Sequence, residues 1–540
     1  MGIPYYFYSL TQKYNTILTN NKPVGLDFYC IDFNGIIHNV AQDVIRRYKD
    51  VGGVADAAKQ TSGIESEIIS GVWERIKYYV ENYKADKYII CADGVAPLAK
   101  MFQQRKRRYL NIYKNTLDNV AITWDTNAIT PGTLFMDKLN QYIRENIKGD
   151  ERYKSKVMYS GSDECGEGEH KIFHRLKETP VSDIIVIHGL DADLIILSLM
   201  SHKENIYLMR EMKDPHTNNT VFNYLNIKEL RKAILCELKM SWNIECGECE
   251  CDGAAEAAEA DLIETYCTAC SILGNDFIPH LLTIELKNNG IDTLLSATKR
   301  AIQSNGLLVH NGAINHNCLI DIFKYLANTE DEDIHRICER YIKKKPPLVA
   351  TNANANSSSV IPSDYYGLKN KDPLIHTIYN SPNKWRQEYY RIIFDNNISI
   401  DSTVMFNACN NYIKGIYWVY SYYKGNAIDC EWYYPYNYPP TIKDILNHSI
   451  ANEAPALHSS GSGSNAFVPP YIQLLIVLPK YSVHLLTKKY QRYMLDIYSG
   501  LFHMYPVKYE VQTFLKTQLW ECSPILPLIN LNYIKKVLEL

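Results

Sequence analysis

The first 200 residues alternate between short, nearly continuous apolar runs and longer stretches of helical periodicity. The run "LDFYCIDFNG" predicts a strand ending at Asp32. "KYIICADG" predicts one ending at Asp93, and "SDIIVIHGLDADL" one running out at Asp191 and Asp193. Each run is β-branched and nearly unbroken, as expected of a strand covered on both faces. Patterns such as "IESEIISGVWERIKYYVENY" read as helices between them. Strand, helix, strand repeated predicts an α/β fold: a mostly parallel, twisted central sheet flanked by helices, with right-handed crossovers. Further on, "YYRIIF" and "MFNACNNYIKGIYWVYSYYKG" read as aromatic-rich helices, so a mainly helical second region is expected. Segment 346–375, rich in Pro, Asn and Ser, reads as a linker or mobile loop between regions 1–345 and 376–540. A second such stretch lies at 458–467, and residues 245–261 read as an acidic surface excursion.

Parallel sheets bind ligands beyond the carboxyl ends of their strands. One aspartate at a strand end is ordinarily a turn or cap residue, but three independent cases point to convergence on one site. "GEGEHK" adds Glu167 and Glu169 before a helix, with glycines that allow a tight turn. In "DAD", Asp191 and Asp193 share a face if the segment is extended. "LGNDFIPH" adds Asp276. Gathered together without counter-charge, these seven acids would repel strongly. Hard divalent cations, two of which can clamp the attacking and leaving oxygens of a phosphodiester, would explain them.

The stretch "DGVAPLAKMFQQRKRRY" follows Asp93 directly. On a helix, Lys100, Gln104, Arg107 and Arg108 fall on one face, while Arg105 and Lys106 are expected to point elsewhere. Alone, this stripe is a solvated face or a nuclear-localisation run. Beside a carboxylate cluster it suits a phosphate, which arginine can bind bidentately.

Composition narrows the reading. With 540 residues and 46% hydrophobic side chains, a large core is available. A net charge of −3 means that any nucleic-acid site must be a local basic patch. No apolar run reaches eighteen residues, so no transmembrane helix is expected. The N-terminus lacks the pattern of a signal peptide. The 14 cysteines are therefore expected to be reduced, intracellular thiols.

Taken in order, "MGIPYYF", "IDFNGIIHN", "DGVAPLAKMFQQRKRRY", "GEGEHKI", "GLDADLIIL" and "GNDFIPHL" resemble motifs of the Xrn 5′→3′ exoribonuclease family. "YWVYSYYKG", "EWYYPYNYPP" and "LLIVLPK" resemble its second conserved region, and "LWECSPILPLI" its end. The resemblance implies a PIN/FEN-like nuclease fold, with an Xrn N-terminal nuclease domain over 1–345 and the second conserved region over 376–540. It implies processive two-metal hydrolysis, with Mg²⁺ or Mn²⁺, of single-stranded RNA from a 5′-monophosphate end. Asp32, Asp93, Glu167, Glu169, Asp191, Asp193 and Asp276 match the family's metal-site positions. Lys100, Gln104, Arg107 and Arg108 match its 5′-phosphate pocket. His38 matches the residue that stacks on the first base, and Trp432 is the candidate for the stacking tryptophan. Leu98 stands where the family usually has a basic residue. The chain reads as a compact catalytic core acting in RNA decay, with the cytoplasm as the expected compartment and the nucleus and a viral origin left open. Two other readings stay open: a flap endonuclease acting on DNA, and a non-catalytic RNA-binding protein. Cys246, Cys249, Cys267 and Cys270 have the spacing of a zinc ribbon, although the last two lie on an apolar helix where buried packing is the expected role.

Overall fold

The computed structural model describes residues 5–50, 57–118, 123–189, 191–213, 220–242, 252–343, 372–455 and 466–539. Its centre is a sheet of seven strands: β1 (Leu18–Thr19), β2 (Leu26–Asp32), β3 (Ala85–Cys91), β4 (Val157–Ser160), β5 (Ile184–His188), β6 (Asn205–Lys213) and β7 (Thr220–Asn226). Their spatial order is β1-β7-β6-β5-β2-β3-β4. Strands β4, β3, β2, β5 and β6 are parallel, while β7 and β1 add an antiparallel edge. The unbroken apolar runs occupy the centre, since β2 and β5 must be covered on both faces.

One face is covered by the helices Phe33–Asp50, Ala57–Asn82 and Leu134–Gly149, through residues such as Ile37, Ile68, Trp73 and Leu139. The other is covered by Gly168–Leu176, Asp193–Met200, Ile227–Trp242, Asp252–Cys270 and Thr403–Lys424. Connections from β2 run to β3 and β4 on one side, then return to β5 on the other side of β2. This reversal opens a crevice at the carboxyl ends of β2, β3 and β5, the general ligand position in such sheets.

Packing crosses the expected division at 345. Residues 262–327 share one core with 409–445, and Val95, Leu98 and Phe102 share another with the Pro470–Val477 helix. Leu98 is thus a core residue. Two irregular segments also need correction. A helix begins at Pro373, capped by the Asp372 carboxylate, so 373–375 are helical rather than linker. The Asp252–Cys270 helix takes up most of 245–261, because its alanines and leucine favour a helix despite the acids. Residues 344–371, 456–465 and 243–251 lie outside the described residues. Among the described residues, no helix is long and apolar enough to cross a membrane.

Candidate active site

Strand ends place the acids. Asp32 is the last residue of β2, Asp93 lies two beyond β3, and Asp191 three beyond β5. Glu167 and Glu169 flank Gly168 at the start of the Gly168–Leu176 helix. A Cβ at Gly168 would lie 2.7 Å from the Cys91 carbonyl and 3.1 Å from an Asp32 carboxylate oxygen. Only glycine permits both glutamates to come this close to the strand ends. The Gly168 amide donates to Asp93 at 2.7 Å, and Asn34 grips the same residue, its Nδ2 donating to the carboxylate at 2.8 Å. Asp276 is delivered by a turn in which Asn275 Oδ1 accepts from the Phe277 and Ile278 amides, after Gly274 at φ 86°.

The pair Asp191 and Asp193 is built differently from the extended segment expected. Ala192 is already helical, and Asp193 opens the Asp193–Met200 helix. Asp191 lines the cleft, whereas Asp193 turns inward and accepts from the Tyr423 hydroxyl at 2.9 Å. Tyr422 donates to Glu167 at 2.5 Å, so the aromatic helix Thr403–Lys424 forms the back wall of the acid cluster.

Electrostatically the cluster lacks positive charge. Lys100 Nζ lies 2.5 Å from Glu167 and 2.9 Å from Asp276, and among the described residues is the ammonium in ion-pair contact with these acids. Burial would raise the Asp276 carboxyl, but Lys100 holds it well below the carboxylate range. The others go the opposite way. Burial and then Asp93 push Asp32 far up. Burial and then Asp193 do the same to Glu169, and burial and Asp276 bring Asp193 to about 7. Glu169 Oε2 is buried without a hydrogen-bond partner. Glu167, Glu169 and His170 place one donor atom each within 4.8 Å of one another. A desolvated oxygen-rich set with an orphaned carboxylate oxygen fits hard divalent cations.

The predicted basic stripe shares a cleft of about 2070 Å³ with these acids. Gln104, Arg107 and Arg108 line it from the Leu98–Leu117 helix. Arg108 Nη2 donates to Thr130 at 2.8 Å, while its Nη1 and Gln104 Oε1 are buried without partners. Burial and Arg107 draw Arg108 down to about 9. Arg105 does point away, into backbone carbonyls of Met504 and Pro527, but Lys106 lines the cleft, contrary to expectation.

The family model for the XRN 5′-3′ exonuclease N-terminus matches residues 1–212, and that for the Xrn1 helical domain matches 259–373 and 377–539. The chain belongs to the Xrn family. It is 25% identical to the 5′-3′ exoribonuclease 1 of Homo sapiens, aligning over 100% of this chain and 34% of that protein. With the 5′-3′ exoribonuclease 1 of Schizosaccharomyces pombe it shares 23% identity, over 98% and 48% of the two chains. With the 5′-3′ exoribonuclease 2 of Gallus gallus it shares 24%, over 100% and 70%. The chain thus spans a third to a half of the length of these two exoribonuclease 1 relatives.

In this Xrn chain, His38 lines the cleft from the Phe33–Asp50 helix. Burial, with Arg107 and Arg108 nearby, brings it down to about 4, so its ring is neutral at physiological pH. Trp432 is not in the cleft. It is 5% exposed, packs on Trp418 with ring centroids 5.1 Å apart, and presses against Gly415. The run "EWYYPYNYPP" is core packing, and its tryptophan is used up inside. Trp520, 48% exposed, lines the cleft instead, 5.9 Å from the Tyr5 ring. Its place in "LWECSP" carries no local sign of exposure. His170 was equally silent in sequence. Its ring lies 3.8 Å from Tyr422, and burial lowers it to about 4. Cys246 and Cys249 lie outside the described residues. Cys267 and Cys270 are buried, and burial pushes the Cys270 thiol up to about 12, the behaviour of packed, protonated thiols.

Proposed function

We propose that this chain is a 5′→3′ exoribonuclease that hydrolyses single-stranded RNA from a 5′-monophosphate end, using two divalent cations, Mg²⁺ or Mn²⁺. The observation that carries the reading is the meeting of six acids and a basic stripe in one cleft, with Asp193 buried directly behind the acids. Asp32, Asp93, Glu167, Glu169, Asp191, Asp193 and Asp276 would hold the cations. Cations bound there supply Lewis-acid polarisation of the scissile phosphate and a nucleophile at neutral pH.

The protein groups do the positioning. Arg107 and Arg108 bind the terminal phosphate, and Gln104 orients it by hydrogen bonding. Lys100 joins this stripe to the acids, since its ammonium already bridges Glu167 and Asp276. The neutral imidazole of His38 can stack on the first base, and Trp520 replaces Trp432 as the aromatic platform for the strand. Stacking and phosphate contacts tolerate any base, which suits processive degradation without sequence reading.

The test is degradation of 5′-monophosphate, 5′-triphosphate and 5′-hydroxyl RNA by the purified chain, beside a flapped DNA. Loss of nucleotides from the 5′-monophosphate RNA alone, abolished by chelator, is expected. Preferential cutting of the DNA flap, or no hydrolysis with either cation, would overturn the reading.

A further inference from the structure

The loop 513–518, which lines the same cleft as the stripe, holds an unusual conformation. Leu515 sits at φ 54°, which a side chain of this bulk adopts only when its surroundings impose it. They do so here. Tyr341 donates to the Leu515 carbonyl at 2.6 Å, and Tyr438 to that of Phe514 at 2.9 Å. Thr513 is tied to Asp372 at 2.8 Å, and Glu521 accepts from the Thr517 and Gln518 amides. This fixed turn presents Lys516 to the cleft, with its ammonium 5.4 Å from the Tyr438 ring. Lys106 reaches the same cleft from the Leu98–Leu117 helix along the Phe102 ring, 4.5 Å away.

Neither lysine has a carboxylate within ion-pair distance among the described residues. The acids nearest in influence are taken. Asp276 pairs with Lys100 at 2.9 Å, Glu521 with Lys287 at 3.0 Å, and Glu285 with Arg340 at 3.3 Å. Burial brings Lys106 to about 8, with the charge of Lys516 acting in the same direction. Two partly desolvated ammonium groups facing one space are matched by an anion between them.

We propose that Lys106 and Lys516 form a second phosphate subsite, which holds an internal backbone phosphate of the threaded RNA rather than its 5′ end. The proposal rests on the exoribonuclease reading above. It divides the cleft into an end-reading pole, Arg107 and Arg108, and a strand-holding pole set by the Leu515 turn. The second pole acts on any single strand, whatever its terminus.

The test measures RNA affinity against salt in an Asp191→Ala background, using one oligonucleotide with a 5′-monophosphate and the same one with a 5′-hydroxyl. Each phosphate contact to a single strand contributes roughly 0.7 to the slope of log affinity against log salt. Lys106→Gln with Lys516→Gln should flatten the slope by about 0.7 for both RNAs, a roughly 2.6-fold smaller loss between 50 and 200 mM salt. Lys516→Arg alone should keep it. An unchanged slope overturns the subsite, as does a change confined to the 5′-monophosphate RNA. Degradation of RNA by the unmutated chain separates these failures from failure of the parent reading. If that activity is absent, both fall.

Discussion

Glu264 and two acids of the site, Glu169 and Asp193, are buried to a similar degree and treated in opposite ways. Glu264 is 3% exposed, Glu169 6% and Asp193 1%. Around Glu264 every need is met. Tyr420 donates at 2.8 Å, His202 lies at 2.9 Å, and Lys424 completes an ion pair. Burial would raise this carboxyl, but these partners bring it to about 2. In the cleft, Asp32, Asp93, Glu169 and Asp193 are all driven upward, and polar atoms of Gln104, Arg108 and Glu169 have no partner. A buried carboxylate finished by its neighbours is architecture. A group of them left short of positive charge is a site awaiting one.

The sharpest way to break this contrast is to remove an unfinished acid. Asp191→Ala or Asp193→Ala should cut RNA hydrolysis by about a thousandfold, the several kcal/mol expected from a lost cation ligand. RNA binding should largely survive, as read by a filter-binding assay. Near-normal turnover in either variant would remove the acids from the metal site.

Glu264→Gln should do the reverse. It leaves Lys424 without its counter-charge and should lower unfolding stability by about 2–4 kcal/mol in denaturant titration, a figure reduced for the partial exposure of Lys424. The cleavage rate per folded molecule should stay unchanged. A selective loss of rate would show that this network serves the chemistry.

Arg108→Ala tests the other unfinished partner. Losing one charge-assisted contact costs about 1.5–3 kcal/mol. Decay of 5′-monophosphate RNA should therefore slow about ten- to a hundredfold, with little change for 5′-hydroxyl RNA. Equal slowing of both would make the stripe a general backbone surface.

The smallest effect concerns pH. Asp193 is held at about 7, above its ordinary range, so the metal-free protein loses this group's contribution to stability as pH rises from about 4 through 7. Bound cations relieve that repulsion and need ionised ligands. The rise in melting temperature on adding Mn²⁺ should therefore be larger at pH 8 than at pH 5.5. The opposite order would mean that the raised carboxyls are not the ligands.

Much of this was legible in sequence, for identifiable reasons. The apolar runs read as strands buried on both faces of a parallel sheet, so the convergence of Asp32, Asp93 and Asp191 at its carboxyl edge followed. Helical spacing placed Gln104, Arg107 and Arg108 together. What sequence could not supply was which side of a mixed-character segment faces a partner distant in the chain. Lys106 turns into the cleft along Phe102, and Trp432 is consumed by packing on Trp418, while Trp520 is left at the rim. Lys100 has the spacing of a phosphate ligand, yet it sits among the acids because Asp276, 176 residues away, is brought beside it.

The hydroxyls of Tyr422 and Tyr423 hold Glu167 and Asp193 from a helix far along the chain. The catalytic half of the fold is therefore not a portable module. A fusion or recombination event that carried off the sheet with its strand-end acids would leave behind the wall against which two of them are set. Inheritance must keep both halves together, and drift in the aromatic helix is limited by the acids that its hydroxyls hold.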